Sequence, residues 1–153
     1  MDTVTHEEEA AGTRRVDLLL AHYGESHLNP RNEAIHMVAI PLIVLSLVGL
    51  LYVVHPWLAF AAVVASWFYY ARLSIVFLIA MAAMGIACLL AVAALGDAVL
   101  PFSVLVFVVS WIAQFVGHKI EGKKPSFFED LQYLLVGPLF VLSRLFLKFG
   151  IRW

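Results

Sequence analysis

The sequence predicts an all-α, multi-pass transmembrane helical bundle, because its composition is that of a membrane protein and its apolar stretches have the length of membrane spans. Hydrophobic residues make up 63% of the chain and charged residues only 14%, whereas soluble domains average about half apolar and a quarter charged. The mean hydropathy is +0.92. The net charge of −1 offers no basic surface to nucleic acid, which excludes that class of partner.

The length of the chain predicts one domain. Its 153 residues leave room for four or five spans of about 20 residues each. Residues 1–13 are acidic and polar, unlike a cleaved signal peptide, and we expect a disordered acidic tail there, followed by a single membrane-embedded helical domain over 14–153. Cys88 is the single cysteine, so no disulfide or thiolate cluster is expected.

The first two helices are predicted by periodicity and by a capping signal. Arg14 to Gly24 carries apolar residues at helical spacing but is too short to cross a membrane. It is therefore predicted to form an amphipathic helix that lies at the membrane surface and covers the functional site. Asn29 and Pro30 predict the start of a second helix, since Asn favours the N-cap and Pro the first helical position. That helix should run to about Val54.

Three further apolar segments are predicted to follow. They run from Trp57 to Tyr70, from Leu73 to Leu95 and from Pro101 to Gly117. The first of the three is short for a span unless the helix continues into its flanks. We therefore predict four spans, followed by a polar segment from His118 to Pro125.

The last apolar segment, Leu131 to Phe149, is predicted to differ from the spans. Arg144, Lys148 and Arg152 recur at a spacing of four residues on one helical face. Such a stripe favours an interfacial helix over a lipid-facing span. A fifth crossing by this segment stays an open alternative.

The lysines and arginines predict the orientation of the bundle. With a cytoplasmic N-terminus, four spans leave the loops around His55 and Asp97 without a positive residue, as the positive-inside rule requires. Two polar clusters, within residues 27–36 and 114–121, then share the cytoplasmic boundary.

The first polar cluster carries two candidate metal ligands. Asn32 and His36 are four residues apart and project from one face of the second predicted helix. His27 lies in the preceding loop and could fold back over the start of that helix. A loop histidine and a helix histidine could therefore share one ion.

The second polar cluster supplies a third imidazole. Gln114 and His118 are four residues apart, and Glu121 follows one turn later. Polar groups near the hydrocarbon are expensive and tend to be functional. Because both clusters lie at one membrane depth, we expect His27, His36 and His118 to hold a single metal.

The ligand types narrow the choice of metal. Three imidazoles with an optional carboxylate suit a non-haem Fe(II) or a catalytic Zn(II) site with open positions. Asn32 and Gln114 are expected to orient the ligands by hydrogen bonds. Lys119, Lys123 and Lys124 could draw a fatty carboxylate to the interface, although the positive-inside rule explains them equally well.

Other interpretations of the same residues stay open. A lone interfacial histidine is more often a hydrogen-bonded boundary residue than a ligand, and His22 is expected to remain at the surface. The clusters also fit a haem-binding electron carrier with two axial imidazoles, or a non-enzymatic scaffold or small transporter whose polar residues lock its helices together. A Soret band would favour the haem protein, and purification without stoichiometric metal would favour the scaffold.

Both clusters resemble the paired motifs of the 2-hydroxy fatty acid dioxygenase family. One motif runs from Tyr23 to Asn32 with His36 and Pro41, and the other runs from Trp111 to Pro125. The resemblance implies an Fe(II)-dependent membrane enzyme of fatty acid α-oxidation, which uses O2 to shorten a long-chain 2-hydroxy fatty acid by one carbon. Lipid bilayer, O2 and the hydroxy acid are thus its expected partners, and the oligomeric state stays open.

The resemblance also assigns residues. The motif histidines fall on His27, His36 and His118 as metal ligands and the motif acid on Glu121, and these four are the expected catalytic residues. In the eukaryotic form one more residue separates the motif His from its Glu, so a ligand role for Glu121 is left open. The short chain with its Gly-Lys-Lys-Pro ending of the second motif is similar to bacterial members, which implies the bacterial cytoplasmic membrane rather than the endoplasmic reticulum of a eukaryote.

Overall fold

The computed structural model describes residues 14–123, 131 and 133–153, and all regular structure in them is helical. The predicted tail over residues 1–13 lies outside this part of the chain. The helices are α1 (Arg15–Gly24), α2 (Pro30–Val54), α3 (Pro56–Ala71), α4 (Ile75–Ala94), α5 (Val99–Glu121) and α6 (Gly137–Phe149). A 3-10 turn, Gly96–Ala98, precedes α5.

The sequence signals at the start of the chain are confirmed. Helix α1 buries Val16, Leu20 and Tyr23 on one face, as its periodicity predicts. The Asn29 side chain caps α2 by accepting a hydrogen bond from the backbone N–H of Arg31 at 2.9 Å. This cap satisfies one of the donors that a helix start leaves unpaired.

Two helices end before glycines of positive φ. Helix α5 continues through His118 to Glu121 and ends at Gly122, whose φ of +77° suits a residue without a Cβ. Helix α6 ends at Phe149, before Gly150 with φ +67°, so the predicted stripe on one helical face was wrong for Arg152. Only its first two basic residues lie on the helix.

The length of α6 favours the interfacial alternative. Its 13 residues extend about 20 Å at the rise of an α-helix, whereas the hydrocarbon core is about 30 Å thick. The guanidinium of Arg144 forms an ion pair with Glu33 at 3.0 Å and lies over the ring of Phe140. The ion pair with Glu33 holds α6 against the start of α2.

Small residues let α2 and α5 pack closely as an antiparallel pair. A methyl group added to Gly49 of α2 would overlap the Ser103 hydroxyl near the start of α5. At the other end of the pair, a methyl group on Gly117 of α5 would overlap Asn32 Oδ1. Small residues at such contacts are typical of helices that associate within a bilayer.

Helices α3 and α4 meet at the same end of the molecule as the two polar clusters. The Tyr70 hydroxyl near the end of α3 donates to the backbone carbonyl of Leu135 at 3.0 Å. Near the start of α4, the ring of Phe77 packs against Phe146 of α6. Since α2 ends at the opposite side, α3 runs back toward the histidine end.

Within the part of the chain that the structure describes, three helical stretches are long and apolar enough to cross a membrane: Pro30–Val54, Ile75–Ala94 and Gly96–Glu121. Helix α3, with 16 residues, is a shorter apolar helix. Lengths and composition of this kind indicate a membrane protein.

Candidate functional site

His27 is held in place by the turns that follow α1. Its backbone N–H donates to the carbonyl of Gly24 at 2.9 Å, which continues the chain in a turn beyond the helix end. Its ring nitrogen Nδ1 lies 2.8 Å from the carbonyl oxygen of Tyr23, and the two rings stack with centroids 4.4 Å apart. The side chain is 3% exposed, so the imidazole faces the interior of the bundle.

His36 lies one turn into the buried face of α2. It is fully buried, and its Nδ1 lies 3.0 Å from the backbone carbonyl oxygen of Asn32. Because a carbonyl only accepts, Nδ1 of both His27 and His36 carries the hydrogen, and Nε2 carries the lone pair. This tautomer is the one in which Nε2 can bind a metal.

His118 reaches the other two histidines because Gly117 precedes it. A methyl group on Gly117 would overlap Asn32 Oδ1 and lie 3.2 Å from Cε1 of His36, so glycine permits this separation of α2 and α5. His118 itself is buried. The last turn of α5 thus brings its imidazole against the start of α2.

The three predicted histidines lie together. The ring centroids of His27 and His36 are 4.4 Å apart, those of His36 and His118 are 4.9 Å apart, and those of His27 and His118 are 6.0 Å apart. Rings whose nitrogens bind one ion at about 2.1 Å have centroids roughly 4.5–5.5 Å apart. Of these three separations, that of His36 and His118 lies within this range, whereas His27 and His118 would have to move closer together to share an ion.

The rings do not yet have the geometry of a formed metal site. Among the residues that the structure describes, no three His, Cys, Asp or Glu side chains are arranged as they stand to hold an ion. The donor types nevertheless fit Fe(II) or Zn(II), since neutral imidazole is a common ligand of both. A ligand role for these histidines stays a prediction.

Glu121 accepts hydrogen bonds from the loop that carries His27. Its Oε1 accepts from the backbone N–H of Leu28 at 3.0 Å, and its Oε2 accepts from the N–H of Asn29 at 2.9 Å and from the amide of Asn32 at 3.0 Å. Both carboxylate oxygens are thus engaged. In this arrangement Glu121 positions the loop, and the sequence suggested no such contact.

Asn32 links the loop, α2 and α5. Besides the bond to Glu121, its amide donates to the backbone carbonyl of Ser26 at 3.0 Å, and its own backbone carbonyl holds His36. Asn32 is therefore placed to orient both His27 and His36. Gln114 lies a turn before His118 and is 4% exposed, but its Oε1 has no hydrogen-bond partner in the described part of the chain.

The lysines predicted to attract a carboxylate have different surroundings. Lys123 Nζ donates to the carbonyl of Glu25 at 3.1 Å and to the hydroxyl of Ser26 at 3.2 Å. Like Glu121, it therefore holds the loop that carries His27 in position. Lys119 is exposed, and Lys124 lies outside the described residues. A substrate contact for these lysines stays a prediction.

A small cavity lies about one helical turn from the histidines, since its lining includes Ile40, four residues after His36, and Gln114, four residues before His118. It has a volume of about 20 Å³, enough for one water-sized group. Tyr23 and Trp111 also line it. Sequence reasoning missed Tyr23 as a site residue, although its position one turn before His27 was a signal. His22 is exposed, 3.5 Å from Glu25, and does not join the cluster.

These features define an all-helical protein with span-length apolar helices and a buried histidine cluster at one end of its central helix pair. The chain belongs to the Mpo1-like family, described as 2-hydroxy-palmitic acid dioxygenase Mpo1-like, which matches residues 14–71 and 71–149. The chain is 30% identical over 138 residues to the 2-hydroxy-palmitic acid dioxygenase MPO1 of Saccharomyces cerevisiae, covering 86% of this chain and 79% of the yeast protein. No solved structure matches.

The family assignment confirms the resemblance inferred from the two polar motifs. Both matched ranges contain part of the site, since His27 and His36 lie in the first and His118 in the second. The name of the family indicates a dioxygenase.

Proposed function

We propose that this protein is an Fe(II)-dependent dioxygenase that converts a long-chain 2-hydroxy fatty acid and O2 to the fatty acid one carbon shorter. The observation that carries the proposal is the meeting of three buried imidazoles, His27, His36 and His118, from a loop and two helices. Sequence similarity to the yeast 2-hydroxy-palmitic acid dioxygenase supports 2-hydroxy fatty acids as the substrate class.

The atoms of the proposed reaction balance without a further cosubstrate. The C1–C2 bond of the hydroxy acid breaks, C2 is oxidised to a carboxyl group and C1 leaves as CO2. These changes release four electrons, which reduce one O2, and the products are the shortened acid, CO2 and one water. An iron held by His27, His36 and His118 would supply the one-electron chemistry that lets O2 react with such a substrate.

The protein's own residues would orient the reactants and exclude water. Burial of the three imidazoles keeps bulk water from the reacting carbon. The unpaired Oε1 of Gln114, next to the cavity, can accept a hydrogen bond from the 2-hydroxyl group. Lys119 is exposed in the last turn of α5, directly after His118. It can attract the carboxylate of the substrate from the membrane interface.

The proposal includes four membrane crossings with the site at the cytoplasmic boundary. Helices α2 and α5 are antiparallel, and the connection between α3 and α4 lies at the histidine end. Helix α2 runs from the histidine end to the opposite side. If α4 crossed and α3 did not, α5 would run in the same direction as α2, which the observed antiparallel pairing excludes. A crossing by α4 therefore requires a crossing by α3. The distribution of Lys and Arg then favours a cytoplasmic histidine end, in the bacterial cytoplasmic membrane.

The test is anaerobic reconstitution of the purified protein with ferrous iron, followed by addition of 2-hydroxypalmitate and O2. We expect about one iron per chain and production of pentadecanoic acid, detected by mass spectrometry, with one O2 consumed per product. His36→Gln should lose both the iron and the product. His22→Gln, an exposed histidine outside the cluster, is the matched control and should keep both.

Two results would contradict the proposal. Wild-type protein loaded with iron that makes no shortened acid would refute the reaction. Purification with a Soret band would point instead to haem bound through two of the imidazoles.

A further inference from the structure

One face of α2 leads from the histidines toward the middle of the bundle. His36, Ile40, Ile43, Leu47 and Leu51 follow one another at intervals of three or four residues and therefore lie along one side of the helix. Ile40 and Ile43 line the small cavity near the histidines. Leu47 and Leu51 line a second cavity, here called the deep cavity because it lies farther along α2 from the histidines.

The second cavity is larger and apolar. Its volume is about 160 Å³, and it is partly open to the surface of the bundle rather than enclosed. It lies between α2, α3 and α4 and the segment before α6, and Leu47, Leu51, Val63, Met81 and Leu134 are among its lining residues.

The two polar side chains of the deep cavity already have partners. The Ser66 hydroxyl donates to the carbonyl of Val63 at 2.6 Å, and the Tyr70 hydroxyl donates to the carbonyl of Leu135 at 3.0 Å. A cavity without polar groups in need of partners does not hold ordered water. Its chemistry therefore favours a hydrocarbon occupant.

Leu134 lies where the two cavities approach each other. It lines both of them, and it belongs to the turn that precedes α6 rather than to a helix. A side chain on a turn moves more readily than one fixed within packed helices. Displacement of Leu134 would join the small cavity to the deep one.

We propose that the two cavities form one acyl-chain site, in which the alkyl chain of the substrate runs along α2 past Leu134 and its end occupies the deep cavity. This inference rests on the proposed function for the identity of the chain. His36 and Leu51 are separated by about 22 Å along the helix, more than the roughly 15 Å that one leaflet of the bilayer's hydrocarbon fills. The site thus matches a long chain in length, and the small cavity, which has room for one water-sized group, must widen to let the chain pass.

The proposal is tested by filling the deep cavity. Ser66→Phe places a ring in it, and we expect kcat/KM for 2-hydroxypalmitate to fall about tenfold while the value for 2-hydroxyoctanoate changes less than about twofold. Ala65→Phe adds the same ring at an exposed neighbouring position of α3 and should alter neither value. A Ser66→Phe variant that folds and treats both acids alike would overturn the proposal.

A second measurement on the wild-type, iron-loaded protein does not depend on the variant or on turnover. A 2-hydroxypalmitate analogue with a photoreactive diazirine at the end of its chain should label peptides that contain Leu47, Leu51 or Met81. Labelling confined to outward-facing positions such as Ile79 and Leu90 would overturn the acyl-chain site. Deep labelling without any shortened product would support the site while refuting the dioxygenase, so the two failures are distinguishable.

Discussion

Glu121 at the end of α5 is a residue to which the structure gives a role that the sequence did not suggest. Its two carboxylate oxygens accept hydrogen bonds from Leu28, Asn29 and Asn32. Charge-assisted bonds of this kind are stronger than neutral ones. The carboxylate therefore fixes the loop on which His27 depends for its position.

We predict that Glu121→Gln weakens iron binding by about 10- to 100-fold, as losses of outer hydrogen bonds at metal sites commonly do. The Gln amide would present N–H groups to backbone N–H donors and leave part of the loop unpaired. Iron titration of the purified protein measures the effect, and turnover at saturating iron should fall less than affinity.

Glu25→Gln is the matched control for this experiment. Glu25 is exposed and its side chain pairs only with the exposed His22, so iron affinity should be unchanged. A Glu121→Gln protein that binds iron as the wild type does but makes no product would instead assign Glu121 a direct part in the reaction, as the family resemblance implies.

The sequence predicted which histidines meet but not what holds them. His27, His36 and His118 could be grouped because the topology places both polar clusters at one depth. The role of Tyr23 depends on how closely α1 approaches α2, and that of Gly117 on how closely α5 approaches α2. These distances cannot be predicted from the local sequence pattern. For Gly117, the available signal was a glycine directly before a helical histidine, since glycine is costly inside a helix unless close contact requires it.

At the scale of the helices, the packing of α2 against α5 decides whether the site exists. We predict that Gly117→Ala destabilises the protein by about 1–3 kcal/mol, the usual cost of overpacking a close contact, because the added methyl group overlaps Asn32 and approaches His36. Thermal unfolding in detergent should show a lower Tm, and bound iron should fall with it.

Gly24→Ala provides the control for Gly117→Ala. A methyl group at Gly24 would meet only Phe140, at the ordinary contact distance of 3.8 Å, so stability should not fall. If Gly117→Ala were as stable and as well loaded with iron as the wild type, then α2 and α5 would be more loosely packed than the structure indicates.

Helix prediction succeeded where capping and periodicity agree and was less accurate at the last turn of a helix. Asn29 and Pro30 marked the start of α2 correctly. The apolar part of the fourth span was predicted to end at Gly117, with His118 and Glu121 following on the same helix edge, and α5 does continue to Glu121, where Gly122 provides its left-handed end. Similarly, Gly150 ends α6 before Arg152.

At the scale of the whole molecule, the antiparallel pairing of α2 and α5 predicts where each connection lies relative to the membrane. Cys88 is the single cysteine and is buried, so Cys88→Ala gives a background for labelling. On it, Arg72→Cys and Lys119→Cys should react with an impermeant maleimide only from the cytoplasmic side. Asp97→Cys should react only from the opposite side.

The labelling of position 72 is decisive for the crossing of α3. Arg72 is exposed at the end of α3 and lies at the histidine end. If the cysteine at 72 labelled from the same side as the one at 97, α3 would not cross, and four membrane crossings would be excluded. All three positions are exposed, so differences in reactivity report sidedness rather than burial.

The separation of the histidines in the chain has a consequence for biosynthesis. His27 and His36 leave the ribosome early, whereas His118 and the glycine that lets it approach arrive only after α3 and α4 have been synthesised. If the three imidazoles bind an ion as proposed, its capture must follow the synthesis and placement of α5. Metal loading would then mark the completion of assembly, and a nascent or truncated chain ending before α5 would expose its first two histidines without acquiring a functional centre.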